Sequence, residues 1–155
     1  MTEVRTRLAE LGIELPALMP PLASYVPAVR TANLVYTAGQ VHFVDGKLLQ
    51  TGKVGADVTA TEARALARTC ALNALSAVDS LVGLDAVTQV VKVVGFVSSA
   101  PGFSGQAGVI DGASDLLCEV FGARGGHARS AVGVAELPLN ASVEVELIVE
   151  VSTSR

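Results

Sequence analysis

The sequence predicts an α+β sandwich, a mixed sheet with two long helices packed on one face. Three observations carry this. Two stretches repeat apolar residues with helical spacing and have well-marked ends. Other stretches are rich in β-branched residues and alternate with period two. Strands also follow one another directly in sequence, which a strict strand-helix-strand alternation would not allow. The chain has 155 residues, 50% hydrophobic and 17% charged, which suits one domain spanning 1–155 with a packed core.

Each element has a local reason. Val4, Leu8 and Leu11 share one face of a short helix from Thr2 to Leu11, with Gly12 as its stop. The stretch LPALMPPLASYVPAV holds four of the six prolines and reads as extended and irregular. Residues 1–21 are thus a short helix followed by a proline-rich lead-in. LVYTAGQVHFV reads as a strand, and Asp45-Gly46 is a hairpin signal with KLLQ returning. TGKVGADV is a glycine-punctuated loop. Thr59 and Glu62 have the spacing of a capping box and open a helix to about Val82. Along it Ala63, Ala67, Cys70, Ala74, Ala77 and Leu81 draw a narrow face of mostly small residues, fit to lie close to a sheet.

VTQVVKVVGFV is a strand of β-branched residues, and SSAPGFSG is a loop. Val109, Ile110, Ala113, Leu116, Leu117, Val120 and Phe121 then mark the clearest helix in the chain, ended by Gly122. Two strands close the sequence, within GGHARSAVGVAELPL and SVEVELIVEV, joined through Pro138 and Asn140.

Composition narrows the function classes. The net charge of −4 leaves no global basic field, so no nucleic-acid partner is expected. No run approaches the ~18 apolar residues of a membrane helix, and the charged start MTEVRTRLAELGIELP lacks the apolar core of a leader. Cys70 and Cys118 both fall in helices and read as two buried thiols, consistent with a reducing, cytoplasmic setting.

GKLLQTGKVG fails as a phosphate loop. Five residues separate Gly46 from Gly52 where four are needed, and Val54 stands where a magnesium-holding hydroxyl belongs. His42 and His127 are the only histidines, far in sequence from the cysteines, so no metal is expected. No GxSxG elbow and no GxGxxG after a strand are present, and no cofactor is expected.

The candidate chemistry lies in the last two strands. Arg129 stands at the mouth of an apolar strand, directly after a glycine loop. In SVEVELIVEV the odd positions Val143 to Val151 are apolar, while Glu144, Glu146 and Glu150 occupy the even face. Glu150 reads as solvated. If the two strands pair as a hairpin, Arg129 and Glu144 fall at distant ends, so a site using both needs another element or another subunit. The alternative for Arg129 is a structural ion pair. Lys92 interrupts an apolar strand, where it snorkels or pairs with a strand carboxylate.

The blocks YVPAVRTANLVYTAGQ, VVKVVGFVSSAPGF, HARSAVGVAELPL and VEVELIVEV together resemble the RidA/YjgF family of reactive intermediate deaminases, in the family's order from about residue 22. The helix block GASDLLCEVFGARGG resembles a longer, divergent branch. The resemblance implies a chorismate-mutase-like fold, a homotrimer with clefts between subunits, and hydrolysis of enamines and imines to ketoacids and ammonia.

By the same resemblance Arg129 grips the carboxylate of a small metabolite and Glu144 positions water. Tyr25, Gly39 and Gln40 match its other substrate-binding positions. Ala131 stands where many deaminating members have cysteine, which changes the lining of the cleft. An arginine fork suits that task because it can read a carboxylate through two parallel N–H groups. The competing function is a module that binds small carboxylated metabolites without turnover. An endoribonuclease activity is disfavoured by the acidic balance and scarce aromatics.

Overall fold

The computed structural model describes residues 3–153, and Thr2 of the expected first helix lies outside them. Helix α1 spans Glu3–Glu10, α2 Ala60–Val82 and α3 Gln106–Phe121. The strands are β1 Ala28–Thr31, β2 Leu34–Thr37, β3 Gln40–Val41, β4 Phe43–Val44, β5 Lys47–Leu48, β6 Val87–Ser98, β7 Ala128–Val134 and β8 Val143–Val151. The main sheet runs β1-β2-β8-β6-β7, with β3 also paired to β8, while β4 and β5 form a separate hairpin. Among the strands of the described residues only β6 and β7 pair in parallel, so the sheet is mixed as expected.

The helix signals were sufficient. Thr59 Oγ1 accepts from the Glu62 N–H, and the Glu62 carboxylate accepts from the Thr59 N–H, completing the capping box. All seven apolar positions assigned to α3 are buried. On α2 the small-residue face is buried from Ala63 to Ala77, but Leu81 is exposed and Leu75 and Val78 fill the core instead. A Cβ on Gly112 would overlap the Arg64 carbonyl, so α2 and α3 meet at backbone contact. Arg64–Asp115 and Arg68–Glu119 pairs span the same crossing. Together α2 and α3 cover one face of the sheet. Against them lie the odd residues of β8, Val143 to Val151, all buried.

The structure departs from the sequence reading in four places. LVYTAGQVHFV is three short strands, because Ala38 and Gly39 turn the chain off β2 before it rejoins β8. β1 begins within the stretch read as irregular, at Ala28, and pairs along its length with β2. β7 and β8 do not pair as a hairpin, because β6 inserts between them. Cys118 is exposed on the outer side of α3, whereas Cys70 is buried and donates to the Val143 carbonyl at 3.4 Å.

Candidate functional site

Glu144 lies on the even, uncovered face of β8, opposite Phe96 of β6 and Val41 of β3. Its carboxylate rests against the backbone at Gly39, where a Cβ would overlap Oε1. Glycine is therefore a space requirement in the Ala38-Gly39 turn. Asn73 of α2 pins the neighbouring chain by donating to the carbonyls of Val41, at 2.9 Å, and Phe43, at 3.1 Å.

The result is a cavity of about 350 Å³ whose walls include Tyr25, Gly39, Gln40, Phe43, Leu139 and Glu144. That volume falls in the range of small-molecule sites. Glu144 has no ion pair or hydrogen-bond donor among the described residues. Burial, and secondarily the nearby Glu146 charge, push its carboxyl above the ordinary carboxylate range. A raised carboxyl pKa makes the ionised form a stronger base. Burial, with a smaller contribution from the Glu144 charge, also pushes the Cys70 thiol up, which keeps it protonated behind the strand.

Arg129 is elsewhere. It pairs with Val93 of β6, three residues along from the partner of Glu144, so the pleat points the two side chains to opposite faces. Arg129 Nη1 donates to Asp111 Oδ1 at 2.7 Å and to Ser114 Oγ at 3.2 Å, both on α3. Ala131, two residues on, packs against the core from the same side. Tyr25, Gly39, Gln40 and Glu144 therefore come together within one chain, and Arg129 and Ala131 do not join them.

Two other polar residues of the face, Lys92 and Glu150, have their own partners. Lys92 Nζ donates to Ser130 Oγ at 3.3 Å, and no carboxylate pair to it is formed among the described residues. Glu150 accepts from Asn33 and Thr88 near the end of the interior strand β8, so it is tied to its neighbours rather than freely solvated.

Two parts of the cavity wall carry no signal that the sequence reading used. The proline-rich lead-in, through Met19 to Ala23, forms one side. Leu139 forms another and holds a left-handed backbone, φ 61°, ψ 20°. That conformation is costly for a branched side chain, about 1 kcal/mol. Pro138 and Asn140 on either side of it were the local hints of a turn. A larger groove of about 760 Å³ lies between α1 and α2, but it is open and contains none of these groups.

Residues 5–151 match the family model described as "YjgF/chorismate mutase-like, putative endoribonuclease". The chain belongs to the RidA/YjgF family. It is 45% identical to Protein TCP17 of Trypanosoma cruzi over 96% of this chain and 94% of that protein. It is 33% identical to a 2-iminobutanoate/2-iminopropanoate deaminase of Dermatophagoides farinae, over 88% of this chain and 93% of that one. A crystal structure of a protein of unknown function from Agrobacterium tumefaciens superposes with a TM-score of 0.89 at 44% identity, covering 96% of this chain and 92% of that one. The RidA/YjgF assignment brings the chorismate-mutase-like fold expected from the sequence blocks. Among the described residues no helix is long and apolar enough to cross a membrane.

Proposed function

We propose that this chain hydrolyses 2-iminoacids or their enamine tautomers to 2-ketoacids and ammonia, in a cleft shared by two copies of a cytoplasmic homotrimer. The observation that carries the reading is Glu144: a half-buried carboxylate with no cation beside it among the described residues, facing a cavity of substrate size. Such a group has chemistry to do, because burying an unpaired charge for structure alone is costly.

In the reaction Glu144 takes a proton from water as the oxygen attacks the imine carbon. With the imine protonated, this attack gives a neutral carbinolamine. Glu144 returns its proton to the nitrogen, the C–N bond breaks as Glu144 takes the hydroxyl proton and the carbonyl closes, and the departing ammonia carries that last proton away as ammonium. No electrons are exchanged. Arg129 grips the substrate carboxylate through its guanidinium fork, fixing the C=N bond against the water. Within one chain Arg129 and Glu144 point from opposite faces, so the shared cleft supplies Arg129 from a neighbouring copy.

The uncovered sheet face supports assembly. Val29, Tyr36 and Val132 are 53%, 42% and 44% exposed, an apolar surface that a second copy would bury. Sedimentation at micromolar concentration should give one species near three times the 15.8 kDa chain mass; a monomer would contradict the shared cleft.

The decisive assay generates 2-iminoacids of varied side chain in place and follows their loss against the spontaneous rate. The reading expects acceleration and one ketoacid formed per ammonia released. Tight ketoacid binding with no acceleration would leave a binding module instead.

A further inference from the structure

Arg129 is held from behind. Both of its hydrogen bonds use one nitrogen, Nη1, which donates to Asp111 Oδ1 at 2.7 Å and Ser114 Oγ at 3.2 Å. Ser114 Oγ is in turn 2.9 Å from His127 Nε2, and His127 Nδ1 is 2.6 Å from the Gly125 carbonyl. A carbonyl can only accept, so Nδ1 carries the proton. In the neutral ring Nε2 then accepts from the Ser114 hydroxyl, leaving the serine oxygen's lone pairs for Arg129. The chain is thus ordered end to end: Arg129 donates to Ser114, Ser114 to His127, and His127 to backbone. Among the described residues Nε and Nη2 of Arg129 have no partner. These two N–H groups are the parallel pair that reads a carboxylate bidentately.

We infer that Asp111 and Ser114, with His127 behind Ser114, are positioning residues that anchor the Nη1 corner of Arg129 and present its Nε–Nη2 edge to the ligand carboxylate. This rests on the proposed role of Arg129. The support has a physical purpose. A free arginine side chain loses rotamer freedom when it binds, and a guanidinium already fixed by α3 has less to lose. The Asp111 carboxylate also balances the arginine charge, so recognition depends on geometry more than on Coulombic attraction. Because Arg129, like Ala131 and Gly133, lies on the face of β7 turned toward α3, this anchoring is available only on that side of the sheet.

The test measures affinity for pyruvate and for its amide, pyruvamide, which lacks the carboxylate. Ser114→Ala is the cleanest variant, since it removes the anchor without changing charge. It should weaken pyruvate binding about fivefold, a part of what the lost charged hydrogen bond is worth because Ser114 acts through Arg129, and leave pyruvamide unchanged. Ser114→Thr, which keeps the hydroxyl, should restore the preference. Asp111→Ala should also narrow the ratio of the two affinities. Melting temperatures on the same samples separate these effects from simple destabilisation, which would weaken both ligands together. Unchanged ratios in Ser114→Ala and Asp111→Ala would overturn the positioning role while leaving Arg129 as the reader. Tighter pyruvate binding by Asp111→Ala would also overturn it and make Asp111 a competitor for the guanidinium. If wild type and Arg129→Lys show no preference for pyruvate over its amide, the assignment of Arg129 itself fails.

Discussion

Glu144 and Arg129 sit in opposite electrostatic conditions on two faces of one sheet. Glu144 faces a cavity on the uncovered face, with no cation beside it and a like charge at Glu146. Arg129 faces α3 on the covered side, paired to Asp111 and steadied through Ser114 and His127. The difference shows how one small fold can keep two opposite charges from neutralising each other. Three residues of register along β6 put them on different faces, which keeps them apart within one chain. A direct Glu144–Arg129 ion pair within one chain would have removed both the base and the carboxylate reader.

The largest effect should come from the Glu144 side. Glu144→Gln keeps the volume but replaces a base with an amide. Imine hydrolysis should fall by roughly 10²–10⁴-fold while ketoacid affinity stays nearly constant. Equal turnover in the variant would remove Glu144 from the chemistry whatever the family.

On the Arg129 side the expected loss is in binding. Arg129→Lys keeps the charge and discards the fork, so calorimetric affinity for 2-ketoacids should drop about tenfold to a hundredfold. A folded variant with wild-type affinity would return Arg129 to a purely structural pair with Asp111.

Gly39→Ala tests whether the Glu144 position is set by packing. The added methyl must displace the carboxylate, so turnover should fall with Arg129-dependent binding little changed. Overpacking of this kind costs typically ~1–3 kcal/mol of stability, readable by denaturant unfolding. Unchanged turnover and stability would mean that the carboxylate has room to move.

The smallest effect is a slope. Folding raises the Glu144 pKa, so between the ordinary carboxylate range and the raised value the folded chain binds more protons than the unfolded one. Its contribution to stability therefore falls as pH rises through that window, and the penalty is fully present above it. Glu144→Gln removes this term. The variant should gain stability relative to wild type as pH climbs through and above the ordinary carboxylate range. Burial lowers the pKa of His42, but that contribution is common to both proteins and cancels in the comparison. Parallel stability curves would show that Glu144 is not desolvated.

The locally encoded parts of this architecture were legible in the sequence. The Thr59–Glu62 box and the apolar stripe of α3 act over a few residues, and the odd-even alternation of β8 identified its buried face. Pairing between distant strands was not legible. Nothing within β7 says that it will run parallel to β6, and a hairpin with β8 satisfies the same local pattern. The cavity wall from Met19 to Ala23 was missed for a similar reason, since prolines announce extended chain but not what it lies against. Cys118 was misread because α3 is covered on one side only, and an apolar helix still has an outer face. Tyr25, Gly39, Gln40, Arg129 and Glu144 were named through family resemblance. Only the register of β6 shows why they cannot all meet in one chain.

That two-copy site is the central claim, and subunit mixing tests it most directly. Arg129→Ala and Glu144→Gln chains, each inactive alone, are co-expressed with different tags and isolated as mixed assemblies carrying both. A neighbour-shared cleft combines the intact Glu144 of one chain with the intact Arg129 of the other. Each mixed trimer then carries one complete cleft of three, so roughly a third of the wild-type imine hydrolysis returns. Mixed assemblies that contain both chains and stay as inactive as either variant alone would contradict a site built from two copies.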